Sequence, residues 1–166
     1  MTQNNIRSKR RKVIVATGGG FDPLHKGHIR LLREAKQLGD VLVVMLNSDH
    51  QLIKKKGKTF FPSEEERKEI IESIKYVDKV IIDPGKDVTC EEALKLIKPD
   101  ILAKGGDRIS GSMPEIELSV CKELGCKIVY NVGGEKVQSS SWLLKSAQER
   151  LQSKECFRVT QTHEFV

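Results

Sequence analysis

Lys12-Val13-Ile14-Val15-Ala16-Thr17-Gly18-Gly19-Gly20-Phe21-Asp22-Pro23-Leu24-His25-Lys26-Gly27-His28 changes character twice along its length. Residues 12–17 form a short β-branched apolar run, which predicts a buried strand. Three glycines follow, so the strand ends in a tight loop. From His28 onward Ile29, Leu31, Leu32, Ala35 and Leu38 recur at helical spacing, and Gly39 stands where a helix C-cap belongs. Strand, glycine loop and helix in that order form the first half of a βαβ unit.

The same alternation runs on through the chain. Residues 41–46 (VLVVML) are a second continuous apolar strand. A loop with Lys54, Lys55, Lys56 and Lys58 comes next. Ser63 and Glu66 make a capping box, opening a helix expected to turn Ile70, Ile71 and Ile74 inward. Residues 79–82 give a third strand, and Thr89 with Glu92 gives another capping box ahead of Ala93, Leu94 and Ile97. A fourth strand over 101–104 ends at Gly105 and Gly106. Residues 114–124 read as a helix carrying Ile116, Leu118, Val120 and Leu124, residues 127–130 as a fifth strand, and residues 139–151 as a last helix.

Strands that are apolar throughout are buried on both faces, which implies a parallel sheet. The expected fold is therefore α/β, a doubly wound, five-stranded parallel Rossmann-like sheet with helices on both faces. Its organisation is a basic arm over 1–11, one domain over 12–152 and a tail over 153–166. Ligands of such sheets bind beyond the carboxyl ends of the strands. That brings the loops 18–28, 47–58, 104–112 and 133–141 around one mouth.

Composition excludes several classes. The 166 residues are 38% hydrophobic and 31% charged, which suits one soluble domain. No run approaches the roughly 18 apolar residues of a membrane span, and no apolar leader opens the chain, so the expected compartment is the cytoplasm. The net charge is +6, but Arg7, Lys9, Arg10, Arg11 and Lys12 supply most of it, leaving the body near +1. The basic arm reads as a solvated tail rather than a nucleic-acid device. Cys90, Cys121, Cys126 and Cys156 form no C-x-x-C pair and read as reduced thiols.

The first loop is neither a dinucleotide fingerprint, which would need glycine at Pro23, nor a Walker A loop. It offers glycine backbone for close approach, then His25 and His28 where a helix begins. Residues three apart share a helix face. The helix N-terminus adds unpaired amides and a partial positive charge. Two imidazoles, exposed amides and a dipole at one point make an oxyanion site, and a triphosphate is the natural occupant. The pair could instead ligate a metal, but His50 and His163 are not placed to complete a tetrahedron, so no metal ligand is assigned.

Gly-Gly-Phe-Asp-x-x-His-x-Gly-His, over residues 19–28, resembles the signature of the cytidylyltransferase-like nucleotidyltransferases, relatives of glycerol-3-phosphate cytidylyltransferase and of the heptose-1-phosphate adenylyltransferase domain of ADP-heptose synthase. Asn47-Ser48-Asp49, Glu66-Arg67, Lys104-Gly105-Gly106-Asp107 and Ser139-Ser140-Ser141 continue the likeness. It covers roughly residues 12–150. The resemblance implies that His25 and His28 bind phosphates and stabilise charge developing during transfer. Lys56 or Lys58 would contact the α-phosphate or the incoming phosphate. The nucleotide would lie against Gly19, Gly20, Phe21, Gly27, Lys104, Gly105, Asp107, Ser139, Ser140 and Ser141. The second substrate would meet Asp22, Asn47, Asp49 and Arg67.

The implied reaction joins a nucleoside monophosphate from an NTP to a phosphorylated metabolite and releases pyrophosphate. Mg²⁺ would come bound mainly to the nucleotide phosphates. Lys104-Gly-Gly-Asp107, and the lack of an arginine before Ser139, favour ATP with a heptose-1-phosphate-like sugar 1-phosphate. CTP with a polyol, amino-alcohol or phosphonate acceptor is the alternative, and flavin chemistry a smaller one. An alternative of another class is a non-catalytic nucleotide-binding module, against which the two intact histidines weigh. A homodimer is expected from the family, with no membrane or nucleic-acid partner.

Overall fold

The computed structural model describes residues 10–57, 62–106, 111 and 113–152. Among these, five strands form one parallel sheet: β1 (Ile14–Gly19), β2 (Val41–Leu46), β3 (Lys79–Ile82), β4 (Ile101–Gly105) and β5 (Lys127–Val132). Their order across the sheet is β3-β2-β1-β4-β5, with every adjacent pair parallel. The chain winds outward from β1 in one direction, then returns to β4 and winds the other way. The doubly wound, five-stranded expectation describes this molecule.

Among the described residues, α1 (Lys26–Gln37), α2 (Asp49–Lys56), α3 (Glu64–Glu72), α4 (Glu91–Ile97) and α5 (Glu115–Glu123) lie between the strands, and α6 (Ser140–Gln152) follows β5. Strand alternation divides the core into two layers. Val15, Leu42, Val44, Leu46, Val80 and Ala103 face Leu31, Leu32 and Ala35 of α1 and Ile71 of α3. Ala16, Met45 and Leu102 face Ala93 and Leu94 of α4 and Val120 and Cys121 of α5.

Several expectations shift locally. The lysine segment expected as a loop is helix α2, opened by a capping box between Ser48 and Gln51 and closed by Gly57 at φ 82°. Thr89 does not cap α4; the N-cap is Cys90, with no side-chain cap, and its amide donates to Glu117 Oε1 at 3.2 Å. Ile70, expected inward, is exposed, whereas Arg67 and Ile71 occupy the buried face of α3. On α5 the buried residues are Glu117, Val120 and Cys121, while Ile116 is exposed.

The amino end of the sheet is closed by a repeated device. An aspartate just before a strand accepts the amide hydrogen of a neighbouring strand's beginning. Asp40 Oδ2 takes Val13 N–H at 2.7 Å, Asp100 Oδ2 takes Ile14 N–H at 2.8 Å, and Asp78 Oδ2 takes Leu42 N–H at 2.6 Å. Arg10, from the arm expected to be solvated, pairs with Asp40 at 2.7 Å, and Arg11 pairs with Asp100. The Val13 amide foremost, then Arg10, holds the Asp40 carboxyl below its ordinary range, and the Ile14 amide and Arg11 do the same for Asp100. At Asp78 burial pushes upward, but the Lys36 ammonium and the Leu42 amide together bring it below that range.

Depressed carboxylates contribute stability above the unfolded-chain pKa near 4, and that contribution is lost as pH falls from there through the folded values. Asp100→Asn keeps an oxygen for Ile14 but removes the charge. It should lower the melting temperature at pH 7 and reduce the further loss between pH 4 and pH 3. Thermal melts of both proteins across that range check it; parallel curves would reject the charge contribution.

Candidate active site

The loop after β1 delivers its chain into α1 through a reciprocal cap. His25 is the N-cap, in extended backbone conformation at φ −149° and ψ 170°. Gly27 N–H donates to His25 Nδ1 at 3.2 Å, and His25 N–H donates to His28 Nδ1 at 3.3 Å. Two amides otherwise left without intrahelical acceptors are thereby paired. An amide can only donate, so each Nδ1 is the acceptor nitrogen. In the neutral ring the proton then resides on Nε2, at the opposite edge. Both imidazoles present an N–H outward without needing to be cationic.

The rings stack on one another, centroids 3.7 Å apart and planes within 19°. Phe21 lies beneath His28 at 4.7 Å, is buried, and holds φ 49°, a left-handed conformation uncommon for a bulky residue. Burial holds the His25 pKa below the ordinary imidazole value, and the Lys136 ammonium pushes it the same way. His25 is therefore neutral near pH 7 in the free protein. The tautomer already supplies the N–H.

These rings line a cavity of about 390 Å³. Across from them stands the N-terminus of α6, where Ser139 Oγ accepts Trp142 N–H at 3.3 Å and Ser140 Oγ donates to the Pro23 carbonyl at 3.1 Å. Two helix N-termini thus converge on one space. Lys55, Lys56 and Lys136 bring positive charge to its walls. The glycine turn of residues 133–134 closes the side nearest α1. Gly133 sits at φ 90°, and its amide donates to Glu34 Oε2 of α1 at 2.8 Å.

His25, Gly27, His28, Lys56, Gly105, Ser139, Ser140 and Ser141 are brought together here. Gly19, Asn47 and Lys104 instead line a neighbouring cavity of about 300 Å³. Lys55 borders both. Asp22 is buried, and its carbonyl accepts Lys56 Nζ at 3.2 Å.

Arg67 and Asp49, expected at the second substrate, line neither cavity. Arg67 is only 2% exposed and acts as a strut. Its guanidinium donates to the carbonyls of Gly20 at 2.7 Å, Asn47 at 3.0 Å and Pro62 at 3.3 Å, and pairs with Asp49 at 2.6 Å. Gly20 serves that strut. Lys58 and Asp107 lie outside the described residues.

Sequence reasoning passed over Glu117, whose carboxylate meets Lys104 Nζ at 2.8 Å at the second cavity. Its signal was its register: 117, 120, 121 and 124 make one helical stripe, and a glutamate interrupts it.

A family model described as cytidylyltransferase-like matches residues 16–151. The chain belongs to that family. Among curated members of the cytidylyltransferase-like family, it is 41% identical over 98 residues to the FAD synthase of Pyrococcus abyssi, covering 59% of this chain and 66% of that one. It is 46% identical over 101 residues to the bifunctional protein HldE of Nitratiruptor sp., covering 60% of this chain and 21% of the other. The matched region thus spans about two thirds of the FAD synthase and about a fifth of the bifunctional protein. Among solved structures, a lipopolysaccharide core biosynthesis protein from Thermoplasma volcanium superposes with a TM-score of 0.61 at 35% identity, over 73% of this chain and 97% of that one. No described helix is long and apolar enough to cross a membrane.

The position of Gly133 makes the cavity wall testable. A Cβ there would lie 2.8 Å from the Leu31 backbone nitrogen, and the positive φ adds strain. Gly133→Ala should destabilise the fold by about 1–3 kcal/mol and raise the KM for the nucleotide. Denaturant melts and steady-state kinetics read the two effects. An unchanged variant would mean that the turn does not press on α1.

Proposed function

We propose that this chain is an adenylyltransferase that moves AMP from ATP to a sugar 1-phosphate and releases pyrophosphate. The observation that carries the reading is the reciprocal cap, which leaves the ring proton of each histidine to Nε2, in a cavity shared with the N-terminus of α6. That arrangement suits a run of phosphates: neutral N–H donors, two helix N-termini, serine hydroxyls and lysines around one cavity. The names of the FAD synthase and of the bifunctional protein, whose adenylyltransferase half the sequence resembles, support adenylyl transfer. The sequence Lys104-Gly-Gly-Asp107 supports the sugar phosphate.

An oxygen of the acceptor's phosphate attacks the α-phosphorus of ATP in line. A new P–O bond forms, the α–β bridging P–O bond breaks, and pyrophosphate departs with its electron pair. The acceptor is already an anionic nucleophile, so no covalent enzyme intermediate is required. The protein's part is positioning and charge stabilisation. His25 and His28 would donate to phosphate oxygens as charge shifts toward the leaving group, and Lys55 and Lys56 would follow it as mobile point charges.

Among the described residues no cluster of three or more metal-binding side chains occurs. The cavity's donor set is mainly N–H and O–H groups, suited to anions. Mg²⁺ therefore fits as part of the substrate, held by the triphosphate and water. A second reading, FMN as acceptor, is favoured by the 41% identity to an FAD synthase.

A pyrophosphate-release assay crossing ATP, CTP, GTP and UTP with sugar 1-phosphates, polyol phosphates and FMN tests both readings. Release with ATP and a sugar 1-phosphate is expected; release with FMN alone selects the second, and release with no pair rejects the enzyme. His28→Ala should reduce kcat by about 10²–10³, while loss of its cap costs only about 1 kcal/mol of stability. Near-normal turnover in that variant would remove the phosphate clamp from the mechanism.

A further inference from the structure

The second cavity, of about 300 Å³, opens beside the phosphate cavity, and Lys55 stands on the border between them. The carboxyl end of β1 forms one wall through Gly18 and Gly19, while Met45 and Met113 contribute apolar surface. Its polar feature is the Lys104–Glu117 pair, with side chains only 15% and 7% exposed. Burying such a pair is expensive, and apolar replacements are often as stable or more so. The fold does not call for it, yet it is held with care. Glu117 Oε2 accepts from Lys104 at 2.8 Å and Oε1 from the Cys90 amide at 3.2 Å. Burial pushes the Glu117 carboxyl up, but Lys104 foremost, with the Cys90 amide, brings it below the ordinary range, so it is ionised.

A carboxylate oxygen takes about two hydrogen bonds and an ammonium gives three. Glu117 takes Lys104, the Cys90 amide and the Cys90 thiol, which leaves its carboxylate room for about one more donor, and Lys104 has N–H groups beyond the one given to Glu117. The pair is close to neutral as a unit, so it is a poor seat for a phosphate. It is a good reader of neighbouring hydroxyls, since each hydroxyl can donate to the carboxylate and accept from the ammonium. The ribityl hydroxyls of FMN meet the same pair, but its ring lies beyond them, and the polar edge of that ring carries mostly acceptors, which an ionised, acceptor-only carboxylate repels.

We infer that the Lys104–Glu117 pair is the specificity element of the acceptor site, selecting a polyhydroxylated sugar or polyol phosphate over a flavin. The inference rests on the adenylyl-transfer reading and names its acceptor class. In this arrangement the acceptor's hydroxyls meet Glu117 and Lys104, its carbon skeleton lies on Met45 and Met113, and its phosphate reaches toward Lys55 at the border with the triphosphate.

The test is titration calorimetry of the full chain, which does not depend on turnover. The probes are mannose 1-phosphate, its 2-deoxy, 3-deoxy and 4-deoxy analogues, FMN and MgATP, each with wild type and with Glu117→Gln. The glutamine retains an oxygen for the Cys90 amide, so the start of α4 is preserved. Wild type should bind mannose 1-phosphate more tightly than FMN, and at least one deoxy analogue should lose roughly 10- to 100-fold in affinity. Glu117→Gln should weaken mannose 1-phosphate to a similar extent, shrink that deoxy penalty, and leave MgATP within about twofold.

Equal affinity of wild type for all the deoxy analogues, preference for FMN, or equal loss of MgATP and sugar phosphate in the variant would each overturn the inference. The deoxy comparison needs no variant, so it stands even if Glu117→Gln folds poorly. Failure of wild type to bind MgATP would instead strike the nucleotide reading, which separates the two failures.

Discussion

The reciprocal hydrogen bonds between His25 and His28 hold this molecule's site together. The amide of His25 reaches the ring of His28, and the ring of His25 takes the amide of Gly27. These bonds start α1, and they also orient both rings and assign their protons. Stability and chemistry are thus carried by the same atoms. Serine or aspartate would cap a helix equally well, but neither would leave a ring N–H on the far side of the cap. The stack at 3.7 Å adds a second constraint, because two imidazolium ions that close would repel. A neutral pair avoids that repulsion, and burial with Lys136 nearby keeps His25 on the neutral side. An arriving polyanion would then find donors in place rather than a charge to be created.

That cap works only because the sheet places it. With β1 central and the winding reversing between β1 and β4, the carboxyl ends leave a crevice at the reversal. Arg67 fixes the near side of the crevice by tying the carbonyls after β1 and β2 to α3. Its guanidinium is a buried charge held by three carbonyls and the Asp49 carboxylate, the condition under which burial is tolerable. At the opposite end, Asp40, Asp78 and Asp100 take amides at the beginnings of neighbouring strands and tie the sheet together. One rim of the sheet is built for cohesion and the other for ligands.

Much of this was legible in the chain. The second strand begins and ends where its continuous apolar run does, because burial on both faces leaves no room for a polar interruption. The Ser63 cap was legible because Glu66 answers it three residues later. The same grammar was present at Ser48 and Gln51, yet the lysines behind it read as a phosphate-contacting loop, and α2 went unseen. Arg67 was less legible still. A sequence shows an arginine near a site but not whether its guanidinium meets a ligand or three carbonyls. Glu117 was passed over because a glutamate draws no notice on a helix, although its register belongs to the buried stripe. In each case the secondary structure follows from neighbours in the chain, while the destination of a long polar side chain is decided by residues far along it.

The lysines of α2 show what that distinction means for chemistry. Consecutive helical residues project about 100° apart, so three adjacent lysines cannot share a target. Lys54 turns to Asp87 at 2.5 Å, and Lys56 turns to the Asp22 carbonyl at 3.2 Å. Lys55 falls between them and borders both cavities. A loop would have let every ammonium wander to the same phosphate. A helix assigns one to the surface, one to the strand-end loop and one to the boundary between the two cavities. In the proposed reaction, bringing two phosphates together is the electrostatic obstacle in joining them, and a cation standing between the two cavities would lower it at the point of contact. The three lysines of α2 are three separate positions, each set by the pitch of the helix.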